Sequence, residues 1–417
     1  MQQNRSSRLD KIELFLAACT AFFAPINAAR VPGVYFTLAD FCALLCLVVM
    51  LANHGIPRRL FGSLSELYYI ALAMFCGALL FSSVINGDSI SGLIGVGQYV
   101  FSFVIFPIVL LRRNHREAWI VGLSFLAAIV VICLHGISLI VFEIEVSERF
   151  VAVNGRLRGL VERTNELGAL LAMTVPLVVV LTRVGWFPKW LAWSILAIIF
   201  YTVMLTGSNT GMGSYMFAFL GMMVIGKDAP RNFLILAVLV AIMVGVVMVF
   251  GTEILPEIFQ KRVVAGFTAG DIREFGTLDG RLVLTYEAFD LAEEYLFIGM
   301  GFDQFRELSS HNAPVHNAYL LFLTEGGIVA LFGFLLLLVV IFARSSSVIL
   351  NTGSLNGGLY LMVTILTYCI VLTALPHVYG RFLIMPWVVA MGITTTIPTD
   401  PNRQASKYGK LRFAKAN

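Results

Sequence analysis

Charged residues are too scarce in this sequence to cover a soluble surface: Asp, Glu, Lys and Arg make up 13% of its 417 residues, against 59% hydrophobic ones. Soluble domains carry about a quarter charged residues, so a water-exposed globule is excluded and a polytopic membrane protein is expected. Cysteine is sparse too, and Cys19, Cys42, Cys46, Cys76, Cys133 and Cys369 all fall in apolar runs. That excludes a disulfide framework and leaves them as small core residues. There is no DxD pair and no His, Asp and Glu cluster at ligand spacing, so neither a catalytic metal nor another cofactor is expected. Tandem repeats and low-complexity linkers are missing, and residues 1–417 read as a single membrane domain.

What the chain has in plenty is apolar runs. A spanning helix needs ~20 such residues, and about twelve runs qualify. They lie near 12–29, 34–52, 67–85, 95–111, 118–142, 165–182, 190–206, 211–226, 233–250, 317–343, 359–376 and 381–398. The expected fold class is therefore all-α. Pro25, Pro107, Pro176 and Pro386 fall inside spans, where a neighbouring helix must meet the carbonyls they free. With both termini cytoplasmic, most Lys and Arg residues face inward, as the topogenic rule demands. The net charge of +4 is then a matter of topology, and nucleic acid is not an expected partner. The basic residues left on the outer face gather in two loops, 143–164 and 251–316. Binding an anion would explain their placement; balancing nearby acidic residues is the alternative.

Residues 251–316, between the ninth and tenth runs, form the one long polar stretch. Within it, Asp279 and Gly280 precede a segment, Arg281 to Tyr295, in which Leu282, Tyr286, Phe289 and Leu291 are expected on one apolar face. Glu287, Asp290, Glu293 and Glu294 fall largely elsewhere. The pattern predicts an amphipathic helix at the membrane interface with Asp279 as candidate N-cap. Arg281 in its first turn, beside free backbone N–H groups, suits a phosphate or diphosphate; the alternative is an arginine paired with a nearby acid. Gly299-Met300-Gly301 lacks the third glycine of a nucleotide loop and is not read as one. The stretch ends in His311 and His316-Asn317, and the following span holds Glu325-Gly326-Gly327. At 1.5 Å per residue Glu325 lies roughly 13 Å beyond His316, inside the membrane zone, where an ionisable residue is a functional candidate. A histidine at the lip of a membrane cavity suits a general base, its reference pKa being about 6.5; a helix-capping role is the alternative.

These stretches together resemble a known family. Arg281, then Glu293-Glu294-Tyr295-Leu296-Phe297-Ile298-Gly299-Met300-Gly301-Phe302-Asp303-Gln304-Phe305, then His316-Asn317-Ala318-Tyr319-Leu320 and Glu325-Gly326-Gly327 resemble the signature of the O-antigen ligase and O-antigen polymerase superfamily. Arg156-Leu157-Arg158-Gly159-Leu160 and Thr164-Asn165-Glu166-Leu167-Gly168 look like its second conserved loop. Gly207-Ser208-Asn209-Thr210-Gly211 sits where the family often has Ser-Arg-Gly, and Asp40 matches an Asp common in the second span. Two positions depart. Asn209 replaces the usual arginine, so a phosphate-contacting cation is absent or supplied by Arg156, Arg163 or Arg381. Ala330 stands where ligases have Gly, Thr or Tyr.

The resemblance implies a glycosyltransferase of the bacterial inner membrane, with twelve helices and its active face in the periplasm. Its donor would be an undecaprenyl-diphosphate-linked glycan. Its acceptor would be lipid A-core for a ligase, or another lipid-linked repeat for a polymerase. Arg158 and Arg281 would stabilise the leaving diphosphate without a metal. His316 would take the proton of the attacking hydroxyl, inverting the anomeric carbon, and Glu325 would organise the cavity or hold the histidine. Arg156, Asn165, Asn209 and Asn317 are the other candidate substrate contacts, and membrane lipid surrounds the whole. A transporter or lipid-linked glycan flippase would also suit twelve spans, but its charges should follow a central path rather than gather at one face.

Overall fold

A bilayer leaves no water to satisfy backbone groups, so an apolar chain must close its hydrogen bonds within helices. A computed structural model describes residues 8–27, 30–31, 35–57, 59–111, 113–144, 147–224, 255–264, 278–352, 355–376 and 378–396, with isolated positions between 231 and 249. In chain order the helices are α1 (Arg8–Phe23), α2 (Leu38–Asn53), α3 (Ser65–Asn86), α4 (Ser89–Val100), α5 (Phe106–Leu111), α6 (His115–Val141), α7 (Thr164–Arg183), α8 (Lys189–Thr206) and α9 (Asn209–Val224). Then follow α10 (Leu278–Glu294), α11 (Gln304–Leu308), α12 (Ala318–Thr352), α13 (Leu355–Leu372) and α14 (Arg381–Thr395). Strand is confined, among the described residues, to a ribbon pairing Arg30–Val31 with Phe36–Thr37.

Among the described residues six helices are long and apolar enough to cross a membrane: Gly62–Asn86, Ser89–Leu111, His115–Val141, Thr164–Arg183, Lys189–Thr206 and Ala318–Leu350. That is fewer than the about twelve spans the sequence suggests. Leu38–Asn53, Gly357–Leu372 and Arg381–Thr395 are apolar but shorter, because ribbon or turn residues cap ends that the apolar runs extend through. The 233–250 run lies outside the described residues save for isolated positions. The span of α7 is 89% buried while the other five are 44–56% buried, so α7 is the central helix and the others turn a face outward. Ile70, Phe81, Leu93 and Leu134 are among the apolar side chains exposed there, as lipid contact requires.

Pro107 shows how a span tolerates proline. It cannot donate to the carbonyl of Phe103, four residues back; a π-helical turn, Phe101–Ile105, precedes it, and the Tyr68 hydroxyl of α3 donates to Phe103 O at 2.7 Å. At the other end of the bundle Asp40 is fully buried. It caps α2 by accepting from Thr37 N at 2.8 Å, and it takes Arg381 Nε at 2.8 Å and Nη2 at 3.0 Å. Arg381 also donates to Gln98 and is therefore committed to this pair rather than to a ligand. Asp40→Ala should destabilise the protein by about 3–5 kcal/mol, because it strands a buried guanidinium. Thermal unfolding in detergent measures this, and an unchanged midpoint would show the pair to be dispensable.

Two features position the outer loops. Gly168 of α7 and Gly211 of α9 touch backbone to backbone: a Cβ on Gly211 would lie 2.8 Å from Gly168 Cα. This contact locks the Thr164–Gly168 stretch against the Gly207–Gly211 turn. The second feature is a break in α12 at Gly327, which has φ +72° and ψ −175°. Ile328 N, which a regular helix would direct to Thr324 O, donates instead to Leu296 O at 2.7 Å, while Thr324 O accepts from Met300 N at 2.9 Å. Gly301 N donates to Glu325 O at 2.9 Å, and Ser82 of α3 donates to the same carbonyl at 2.7 Å. Asn86 and Ser83 hold Gly299 O and Phe302 N from the other side. The 295–302 segment is thus inserted between a broken helix and the end of α3.

Helix α10 forms where the amphipathic pattern predicts one, but its faces differ from the expected set. Leu284 and Ala288 are buried in a small cluster with Met300, Phe305, Val315 and Leu321, and Leu291 packs against that cluster. Leu282, Tyr286 and Phe289 are exposed together. Leu291 stands about two and a half turns beyond Leu282 at 3.6 residues per turn, which sends it to the opposite side. The side chain of Asp279 lies outside the described residues.

Candidate active site

The 147–163 loop carries the first arginines. Val151 bridges Leu157 in antiparallel fashion, with Gly155 at φ +77° in the tight turn between them. Leu157 is fully buried and its backbone N donates to Leu205 O at 3.0 Å. Alternation along an extended segment then sends Arg156 and Arg158 to the side opposite Leu157. Arg156 Nε donates to Thr206 O at 2.8 Å and its Nη2 to Asn165 Oδ1 at 2.7 Å. Arg158 Nη1 donates to Glu148 O at 3.1 Å. Both arginines, with Glu162, Arg163, Asn165, Glu166 and His316, line a cavity of about 370 Å³. A smaller one, about 70 Å³, shares Glu162, Arg163 and Glu166 with it and extends toward Tyr35, Asp303 and Tyr379.

Arg281, in the first turns of α10, has its Nε buried with no hydrogen-bond partner. Neither it nor Arg156 nor Arg158 has a carboxylate partner among the described residues. The expected alternative for Arg281, pairing with a nearby acid, finds no partner among the described residues, and the Asp279 side chain lies outside them. Sequence reasoning missed one member of this group. Arg262, in the π-helical turn Gln260–Val264, donates from Nε to Gly207 O at 3.2 Å. Burial, then the charges of Arg262, Arg281 and Arg158, lowers the Arg156 pKa to about 10; burial and Arg262 lower that of Arg281. The guanidiniums stay protonated at neutral pH, and no described carboxylate is paired with them to offset their mutual repulsion. The available signal was Lys261-Arg262, a basic pair in a stretch expected on the face that the topogenic rule leaves poor in cations.

His316 is brought to the same place. Its Nδ1 is buried without a partner, and burial first, then Arg281 and Arg163, pushes its pKa down to about 4. The imidazole is neutral at physiological pH, with a lone pair free to accept a proton. Asn165 is the Arg156 partner on the cavity wall. Asn317 accepts from Tyr319 N at 3.0 Å and Leu320 N at 3.2 Å, capping α12 and leaving its amide nitrogen for a ligand. Asn209 opens α9 behind Ser208, whose hydroxyl accepts from Gly211 N at 3.1 Å, and it is not part of the cavity wall. Glu325 is placed apart: it is buried, its carboxylate meets the backbone N–H groups of Asp303 and Phe305, and no hydrogen bond joins it to His316. Glu166, in contrast, is buried and lines both cavities, with Arg163 Nε 4.0 Å away.

The site therefore gathers arginines without a carboxylate partner among the described residues and a neutral histidine around a polar cavity that also holds Glu162 and Glu166, which suits transfer from an anionic leaving group. No curated protein matches the chain. Residues 194–335 match the family model described as O-antigen ligase, a stretch that includes Arg262, Arg281, His316 and the α12 break. That match, over about a third of the chain, supports the O-antigen ligase and polymerase superfamily for this membrane-integral protein and, in general terms, ligase-type or polymerase-type glycosyl transfer.

Proposed function

We propose that this protein is an O-antigen ligase-like, metal-independent inverting glycosyltransferase, moving a glycan from an undecaprenyl-diphosphate carrier to a hydroxyl of lipid A-core. In this reading the chain has about twelve spans, both termini are cytoplasmic, and residues 251–316 lie on the periplasmic side of the inner membrane. The observation that carries it is the convergence of Arg156, Arg158 and Arg281, all without carboxylate partners among the described residues, beside the neutral His316. A buried charge without a partner is costly, and a diphosphate supplies the missing partner.

The acceptor oxygen attacks the anomeric carbon as the bond from that carbon to the phosphate oxygen breaks. The hydroxyl proton passes to His316, and the electron pair leaves on the diphosphate, where the arginines meet it. A histidine with a pKa of about 4 is a weak base, but the donor's own negative charge opposes Arg281 and strengthens it. The His316 pKa should therefore rise when undecaprenyl diphosphate binds. Its titration by NMR checks this; an unmoved value would remove the diphosphate from the vicinity of His316.

The direct test is purified protein in liposomes with an undecaprenyl-diphosphate-linked repeat, with and without lipid A-core, the products being resolved by size. Glycan appearing on lipid A-core supports the ligase. A ladder of lipid-linked glycans without lipid A-core makes it a polymerase, and an unchanged donor in both tubes refutes transfer.

A further inference from the structure

The α8 terminus holds two guanidiniums by the same device. Helix C-termini present carbonyls without intrahelical partners and attract cations. Thr206 O, at the end of α8, takes Arg156 Nε at 2.8 Å, and the next carbonyl, Gly207 O, takes Arg262 Nε at 3.2 Å. Gly207 is left-handed, at φ +54°, and a Cβ on it would meet Arg262 Cδ at 3.2 Å, so the arginine stem packs directly on this turn. Anchoring through Nε fixes each guanidinium plane and leaves terminal N–H groups to point onward. Arg156 spends Nη2 on Asn165. Arg262 makes no further hydrogen bond among the described residues and has no ion pair there, although it is half-buried.

A cation whose only task was to cap α8 would gain from an acidic neighbour; Arg262 makes no ion pair among the described residues, and its charge is felt by Arg156 and Arg281. Such a cluster is held together by the fold against its own repulsion, and an anion that bridges its members relieves it. We infer that Arg262 is a diphosphate-binding residue, delivered from the Gln260–Val264 turn to the Gly207-Ser208-Asn209 corner, where Asn209 itself offers no positive charge. The inference rests on the donor reading given above and extends it to a residue from a separate part of the chain.

The test is binding of undecaprenyl diphosphate to full-length protein in nanodiscs, with uncharged undecaprenol as control. Arg262→Ala should weaken diphosphate binding about tenfold or more, as loss of a charge-assisted contact does, while leaving undecaprenol binding unchanged. Arg262→Lys should restore only part of the loss, since an ammonium lacks the fork. Inorganic pyrophosphate should also raise the thermal midpoint of the wild type more than that of Arg262→Ala. If Arg262→Ala binds diphosphate like the wild type while Arg281→Ala does not, Arg262 is only a helix cap and the donor reading stands. If Arg156→Ala, Arg262→Ala and Arg281→Ala all bind normally, both fall. Should Arg262→Ala fold poorly, Arg262→Gln retains the stem and amide donors against Gly207, and the same outcomes decide.

Discussion

His316→Ala should lower glycan transfer by roughly 10²–10⁴-fold, the range of a lost general base, with membrane insertion and thermal stability close to wild type. Stability is spared because no hydrogen bond ties the ring to its surroundings among the described residues, and Nδ1 is already without a partner. Arg281→Ala should lower transfer as deeply by a different route, loss of leaving-group stabilisation, while leaving a residual rate that can be followed. The two variants part in their pH profiles. A base works when unprotonated, so with a pKa of about 4 the wild-type free enzyme should keep its rate on acidification until the pH approaches that value. Removing the Arg281 charge lets the His316 pKa rise toward its ordinary value, so residual activity of Arg281→Ala should fail at higher pH than wild type. A wild-type rate in His316→Ala would remove the histidine from the mechanism.

Gly299→Ala should be the most damaging single methyl in the outer half of the molecule. Gly299 has φ +79°, and a Cβ there would lie 2.4 Å from Glu325 O. Gly327 mirrors it from the other side of the contact, with φ +72° and a Cβ 2.6 Å from Phe297 O. Left-handed backbone costs a side chain about 1–2 kcal/mol, and the clash with fixed backbone adds to that, so each substitution should cost more than about 3 kcal/mol in total. The readouts are the thermal midpoint, protease cleavage around 295–303, and transfer, which should fall with them. Gly280→Ala is the control: nothing lies within 4 Å of its Cβ position, and alanine favours helix. A tolerated Gly299→Ala would mean that the inserted segment leaves its seat easily.

The helices were legible because apolar runs state them directly, and the proline in the fourth run announced the need that Tyr68 meets. Their ends were less legible. Nothing in the apolar content of residues 34–52 says that the ribbon takes Phe36 and Thr37 before α2 begins. Partnerships across the chain were hidden as well. Arg381 and Asp40 are 341 positions apart, and only the fold reveals that this arginine is spent internally. Glu325 looked like a partner for His316 because both lie near one helix end, but the Gly327 break turns its carboxylate toward Asp303 and Phe305. Arg262 was visible as a cation and invisible as a neighbour of Arg281, since only the fold brings the Gln260–Val264 turn near α10.

The broken helix also decides what may be exchanged between relatives. The groups that seat residues 295–302 belong to α12 and α3, so this segment does not carry its own seat. A chimera that swaps residues 251–316 alone would place a foreign segment against a seat cut for another. The unit to exchange runs from Arg281 of α10 through the glycine pair of α12, together with the last turn of α3, Ser82 to Asn86, which holds Gly299 and Phe302.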